Sequence, residues 1–436
     1  MPEANDQRNI NQGRNVSGLL SEHGTSQTLS GVMHHIEGSI VRGRRRALSF
    51  VVVLLLVLAV IETGAAVTTR ILHQRGWMVQ MPEFSKVEIS RYLHLQNPLL
   101  GWGPPAVKGR TALGLSPRPD PLWSSGTRPC ISAYGDSFTY GFEAADNETY
   151  PHFLSEMLGC PVRNYGVIGY GSDQALMLVR AQEHADSAPV IILGHLSENV
   201  LRNVNRYTHL LYPGAALQFK PRFVVRDGRL DYVPLPVNSV ADFSALKAKP
   251  DSVLAGDALL ARPRRGFPYS VALFKWLTRD FKVQAELSGV PAEATFYSPS
   301  HSADGLGLTT EILSTFVREV TEDGKRGVVL LIPTRQAIAY AARTNVWVDQ
   351  ALADALNRRR IPVIHGGPKI IKRLAGADPC TLFDQCQQQH FSEVGNRMLA
   401  QIVADELARM EAIPTTSGPA DSVSLIPALP PRKEVP

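Results

Sequence analysis

Five short, nearly uninterrupted apolar runs punctuate the chain: CISAYG (130–135), PVRNYG (161–166), PVIILGHL (189–196), RGVVLLIPT (326–334) and IPVIHG (361–366). Stretches with helical spacing separate or follow them. YPHFLSEML (150–158) sets Phe153, Met157 and Leu158 on one side, and SDQALMLVRAQEHA (172–185) opens on Ser172, a good N-cap residue. VWVDQALADALNRR (346–359) is a further helix, and FSEVGNRMLAQIVADELARM (391–410) places Val394, Met398, Ile402 and Val403 on one face. Strands that are apolar on both faces must be covered on both faces, which is the condition of a parallel sheet between helical layers. The expectation is an α/β fold, a three-layer α/β/α sandwich with a mostly parallel five-stranded sheet.

In open sheets of this kind, ligands bind beyond the carboxyl ends of the strands. Residues 207–308 interrupt the alternation between the third and fourth runs. Within them, VVRDGRLDYV reads as a β-hairpin turning at Asp227-Gly228 and PYSVALFKWLTRDFKVQ as helical. TTEILSTFVREVTEDGKRG leads back to the sheet with Ile312, Phe316, Val317 and Val320 on one face. Two readings of this insertion stay open, the wall of a substrate cleft or a purely structural cap.

Ahead of the domain, ALSFVVVLLLVLAVI (47–61) carries no charge, and ETGAAVTT extends it to Thr69. About 20 apolar residues cross a bilayer as a helix. Arg42, Arg44, Arg45 and Arg46 flank its N-terminal side, which holds that side in the cytoplasm and exports the chain beyond residue 70. The segment 47–69 therefore reads as a retained transmembrane signal anchor in the plasma (inner) membrane. A cleaved signal peptide, for which GAAV offers small residues, and a buried core helix are the alternatives. The polar leader 1–46 and the Pro- and Ser-rich tail 413–436 read as disordered, and 70–128 as a stalk and irregular lead-in. The net charge of +5 is then mostly a topology signal, and nothing points to nucleic acid.

Cys130, Cys160, Cys380 and Cys386 all lie in the exported part, where an even count permits two disulfides in three connectivities. CTLFDQC lacks a second cysteine pair or a close histidine pair, so no metal site is expected, nor any cofactor.

Chemistry concentrates just past the strand ends. YGDSFTYG (134–141) follows the first run and exposes Ser137 at the entry to a helix or turn. A serine hydroxyl is a poor nucleophile without a base in hydrogen-bond reach and donors aimed at the developing oxyanion. Gly135 and Gly141 allow a tight backbone there. NYGVIGYGSDQ (164–174) follows the second run, GHLSENVLRN (194–203) the third and QQQHFSEVGN (387–396) the fifth. A serine, a glycine loop, an amide and a histidine thus meet at one rim of the sheet.

These blocks resemble those of the SGNH hydrolases, the GDSL-type esterases and lipases, and the resemblance spans about residues 129–410. It implies a flavodoxin-like sheet, Ser137 as nucleophile and His390 as general base. The oxyanion hole would be formed by the Ser137 and Gly169 backbone N–H groups, with Gly166 or Gly171 as register alternatives, and by the Asn199 side chain. The third block of the family reads G-x-N-D. GHLSENVLRN departs from it and puts Glu198 beside Asn199. The family's Asp three residues before the histidine is replaced by Gln387, so the third member of the triad is Asp384, Gln387 or none.

NPLLGWGPPA, GYGSDQALM and LRNVNRY further resemble a membrane-anchored branch associated with bacterial cell-envelope and exopolysaccharide acylation. The activity implied is hydrolysis or transfer of acyl groups, O-acetyl esters on extracellular carbohydrate above all. An exopolysaccharide O-acetyltransferase and a catalytically inactive carbohydrate-binding protein are the alternatives. The frame also implies disulfides Cys130–Cys160, at the non-catalytic edge of neighbouring strands, and Cys380–Cys386, closing a loop that presents Asp384 and His390. His195 and His365 read as structural histidines, Asp136 as the residue pinning the serine turn, and Asn147-Glu148-Thr149 as a sequon by spacing only. Arg202 and Arg206 read as a solvated face or as contacts to an anionic sugar. Protein partners are not legible.

Overall fold

The computed structural model describes residues 24–79, 84–103, 116–124, 126–182, 185–212 and 215–412. The chain divides into two compact units, Met1–Val67 and Thr68–Pro436. The expected tail and the first 23 residues of the expected leader lie outside the described residues.

One helix, Gly24–Gln74, carries the apolar run. It begins well ahead of the arginines, so the described part of the leader is helical rather than disordered. Gly31, Gly38 and Gly43 each cost about 1 kcal/mol there. No proline interrupts the segment and no cap precedes the apolar run, so the helix propagates through it. Arg42–Gln74, 33 residues, is long and apolar enough to cross a membrane. Its side chains from Leu48 to Ile61 are exposed rather than packed in a core.

In the second unit, five strands form one parallel sheet: β1 (Ile131–Gly135), β2 (Val162–Gly166), β3 (Val190–Leu196), β6 (Arg326–Ile332) and β7 (Val363–His365). Their order is β2-β1-β3-β6-β7, and a hairpin of β4 (Arg222–Arg226) and β5 (Arg229–Val233) stands apart. Ile131 lies opposite Val162 on one side and Val190 on the other. The order reverses between β1 and β3, the point at which such sheets open a crevice.

Alternate side chains of each strand enter two separate cores. Tyr134, Ile191, Leu193, Val329 and Leu331 pack with the helices Ser172–Gln182, Gly305–Glu322 and Gln350–Arg358. Ile131, Ala133, Ile192, Val328 and Leu330 pack with Tyr150–Leu158, Gly366–Leu374 and Glu393–Arg409. The three-layer α/β/α sandwich is the fold expected. Ile312, Phe316, Val317 and Val320 are buried as the periodicity predicts, whereas Met157 and Val394 are exposed. Both sit in a terminal turn, where the helix face no longer follows the sheet.

The lead-in is not a stalk. Met78, Tyr92, Leu100 and Trp102 are buried. The Trp102 indole donates to the Ile168 carbonyl (2.9 Å), Tyr170 Oη donates to Trp102 O (2.6 Å), and Gln174 Nε2 donates to Leu100 O (2.6 Å). The segment NPLLGWG thus holds the glycine loop after β2. Both disulfides form, Cys130–Cys160 with Cα atoms 6.0 Å apart and Cys380–Cys386 with 4.6 Å.

The insertion carries the hairpin, turning at Asp227 and Gly228 with φ of 48° and 71°. The stretch 268–284 forms two helices, Tyr269–Arg279 and Phe281–Ser288, rather than one. Asp280 breaks it: its backbone is extended, its side chain caps Lys282 N–H, and it is buried in an ion pair with Arg262 (2.8 Å).

Candidate active site

β1 ends at Gly135, and Asp136 leaves the strand in an extended conformation to cap the one-turn helix Ser137–Tyr140. Its Oδ1 accepts the Phe138 N–H at 2.8 Å, so Asp136 pins the serine turn as its place in the motif predicts. The turn sits directly on the strand. A Cβ at Gly135 would lie 2.3 Å from Thr139 Oγ1, and Gly141 ends the helix in the left-handed region at φ 76°. Burial pushes the Asp136 pKa up, opposed by Arg202, the Phe138 N–H, Asn199 and His390 in turn. Arg202 Nη1 approaches its Oδ2 at 3.4 Å.

His390 arrives between the short turn Pro379–Phe383 and the last helix, whose N-cap is Ser392. Its Nε2 lies 2.9 Å from Ser137 Oγ. Its ring is steadied by Phe138 and Phe142, with ring centroids 4.9 and 5.2 Å away. Its Nδ1 lies 3.1 Å from Glu143 Oε2, which also accepts the His390 backbone N–H at 3.3 Å. With a carboxylate on Nδ1, the ring carries its proton there and turns the Nε2 lone pair to the serine.

Glu143, absent from the family blocks, therefore occupies the position expected of Asp384. Asp384 is exposed in a turn of three left-handed residues, Asp384, Gln385 and Cys386, and both ring nitrogens have other partners. Gln387 is exposed as well. No motif marks Glu143. It holds a left-handed φ of 72°, uncommon outside glycine, and its loop is tied by an arginine from the lead-in. Arg118 donates to the carbonyls of Tyr140 (2.6 Å), Gly141 (2.8 Å) and Ala144 (2.8 Å), and its Nε pairs with Asp146 at 2.7 Å.

Asn199 begins the helix Asn199–Asn203 past β3. It is 1% exposed, and neither atom of its carboxamide has a hydrogen-bond partner. It is near enough to Asp136 to favour the carboxylate, yet makes no full hydrogen bond to it. A buried amide left without partners is costly unless something else is to meet it. Gly169 takes φ 81° in the loop after β2, against the Trp102 ring. Gly166 closes β2, and Gly171 precedes the helix Ser172–Gln182.

Arg202 and Arg206 are both buried, not solvated. Arg202 donates to Tyr170 O (3.0 Å), Tyr212 Oη (2.9 Å) and Glu198 (3.2 Å), and Arg206 pairs with Asp257 at 2.9 Å. His195 bridges Ser172 (2.7 Å) and Tyr297 (2.9 Å), with burial lowering its pKa to about 4. His365 pairs with Asp349 (3.1 Å). Thr149 of the sequon caps the helix Tyr150–Leu158.

Ser137 and His390 open into a cavity of about 910 Å³. Within the insertion, Lys282, Glu286, Pro291 and Glu293 line it. Glu198 lines it too.

Glu293 is 5% exposed and accepts from Thr334 Oγ1 (3.0 Å) and Ser197 Oγ (3.3 Å). Burial, then the Glu198 charge, pushes its pKa up to about 7. The folded state thus binds this proton more tightly than the unfolded chain, where the pKa is about 4.3. Its contribution to stability is fully present below that value and lost as pH rises through about 7. Melting curves should accordingly show the Glu293→Gln chain gaining on the wild type between about pH 5 and 8. The gain has a ceiling of about 3 kcal/mol. Parallel curves for the two proteins would show that the carboxyl is not held protonated.

No family model matches the sequence. No curated protein matches it. Among solved structures it is similar to a putative lipolytic protein of the G-D-S-L family from Desulfitobacterium hafniense DCB-2, at 11% identity over 64% of this chain and 98% of that one, with a TM-score of 0.31. It is similar to the lipase/acylhydrolase from Enterococcus faecalis at 11% identity, 65% and 96% coverage and a TM-score of 0.33. A catalytic mutant of an acetylxylan esterase from Geobacillus stearothermophilus gives 11% identity, 65% and 95% coverage and a TM-score of 0.33. Likenesses of that size carry no weight beside the geometry. The chain has the parallel five-stranded sheet and the strand-end serine that the resemblance to SGNH hydrolases implies.

Proposed function

We propose that this chain is a serine ester hydrolase of the SGNH type, anchored in the membrane by its N-terminal helix. It removes acyl groups, O-acetyl esters on extracellular carbohydrate in the first instance, through a Ser137 acyl-enzyme. The observation that carries the reading is the relay of Ser137, His390 and Glu143, with contacts of 2.9 and 3.1 Å. Ser137 Oγ attacks the ester carbonyl carbon while its proton passes to His390 Nε2, and Glu143 supports the imidazolium through Nδ1–H. The oxyanion takes the unpartnered Asn199 amide and backbone N–H groups at Ser137 and Gly169. Collapse expels the alcohol, which takes the proton from Nε2. Water then enters, is deprotonated by the same nitrogen, and releases the acid and the free serine. The inert-binder alternative drew its strength from the missing aspartate, and a carboxylate stands in that place.

The cavity presents Glu198, Gln336, Arg343 and Gln389 among its lining side chains, groups able to hydrogen-bond a substrate that carries hydroxyl groups. The helix Arg42–Gln74 supports a single span, and the arginines at its start support a cytoplasmic N-terminus. In detergent, the full-length chain should release p-nitrophenol from p-nitrophenyl acetate in a burst stoichiometric with enzyme, then at a steady rate. Asn199→Ala should lower kcat by about 10²–10³-fold with KM little changed. Release no faster than buffer would sink the reading, and an unaltered kcat in the variant would remove Asn199 from the oxyanion hole.

A further inference from the structure

We propose that the helix Tyr269–Arg279 lies flat in the surface of the membrane that the N-terminal helix enters, so that substrate reaches Ser137 from a lipid surface. The proposal rests on the anchored reading above. Phe267, Val271, Phe274 and Leu277 are 79, 45, 64 and 47% exposed. Steps of three residues put Val271, Phe274 and Leu277 on one side of the helix, opposite the buried Ala272, and Phe267 stands just ahead of its first turn. A contiguous apolar face of that kind on a folded unit marks an interaction surface.

Its charge selects the occupant. Arg265, Lys275 and Arg279 are exposed around the face, and no acidic residue occurs between 261 and 279. The next residue, Asp280, is buried in its pair with Arg262. Exposed Asp251 is held in an ion pair with Arg264, and the apolar groups flanked along the chain by Arg265, Lys275 and Arg279 match the boundary of a bilayer that carries anionic headgroups.

Its position agrees. The Trp276 indole donates to Trp77 O at 3.0 Å, Arg262 Nη2 donates to the same carbonyl at 3.2 Å, and Val79 pairs with Arg264. Trp77 follows the end of the apolar helix, Gln74, by three residues, a reach of about 10 Å at most. The apolar face is therefore tied to the point where the chain leaves the span. Half-exposed Trp77 stands edge-on to Trp276, an aromatic of the type that settles at a membrane boundary. Arg75, Gly76 and Trp77 also line the cavity that contains Ser137 and His390.

The test uses the full chain reconstituted in vesicles of phosphatidylethanolamine and phosphatidylglycerol. All four native cysteines are in disulfides, so one introduced thiol takes an environment-sensitive fluorophore alone. Single sites are Phe274→Cys, Val240→Cys as an exposed apolar control elsewhere in the insertion, and Leu55→Cys within the span. The label at 274 should be quenched at least about twofold by nitroxide on the lipid chains and shielded from aqueous iodide, with the reverse at 240. If 274 responds to iodide like 240 while 55 responds to lipid nitroxide, this inference fails and the anchor stands. If 55 also responds to iodide, the anchored reading fails with it. A label at 274 shielded from iodide but untouched by lipid nitroxide means that another protein surface, a second copy first of all, covers the face, and that overturns the lipid assignment.

Discussion

Alanine at Ser137 is expected to lower turnover of an acetate ester by about 10⁴-fold or more, with the chain still folded. Among the described residues, Ser137 Oγ is the hydroxyl that His390 Nε2 meets, at 2.9 Å. Ser137 is a small side chain at the cleft, so its loss changes stability by no more than about 1 kcal/mol. His390→Ala should cost as much, and the double variant little more than either, because the two act as a unit. A Ser137→Ala chain that retains more than a tenth of the wild-type rate would place the chemistry elsewhere.

The second large effect separates two carboxylates. Glu143→Gln keeps the shape of the side chain but removes the charge that accepts Nδ1–H and stabilises the imidazolium. It should lower kcat by about 10²-fold or more, and up to the roughly 10⁴-fold that an amide in this position costs a buried triad. Glu143 is about a third exposed, which places the expected loss toward the lower end. KM should barely move, since Glu143 is not among the residues that line the cavity. Asp384→Asn should alter kcat by less than about twofold, because neither nitrogen of His390 meets it. Kinetics that reverse the two results would restore the loop carboxylate and remove Glu143.

The five strands were legible because each is a run apolar on both faces, and the structure places them within a few residues of the expected ends. The serine turn was legible for a related reason: Gly135, Asp136 and Gly141 are the residues that a tight strand-to-helix turn requires. The orienting carboxylate was not. It depends on a left-handed Glu143 and on Arg118, some 25 residues upstream in a segment without apolar periodicity, which fastens the carbonyls of that loop. Side-chain-to-backbone ties of this kind leave no trace in spacing. The same applies to the lead-in, where single large side chains such as Trp102 fill gaps rather than follow a period. Arg202 looked like surface because arginines usually are. Asp136, Glu198 and the Tyr170 carbonyl supply the partners that let it be buried, and all three lie on different strand-end loops.

Adduct mapping on the detergent-solubilised full chain tests the central claim most directly. A fluorophosphonate should form one covalent adduct, found by peptide mass spectrometry on Ser137, and neither Ser137→Ala nor His390→Ala should form it at an appreciable rate. An unmodified Ser137 in wild-type protein, or equal labelling of wild type and Ser137→Ala, would contradict the account.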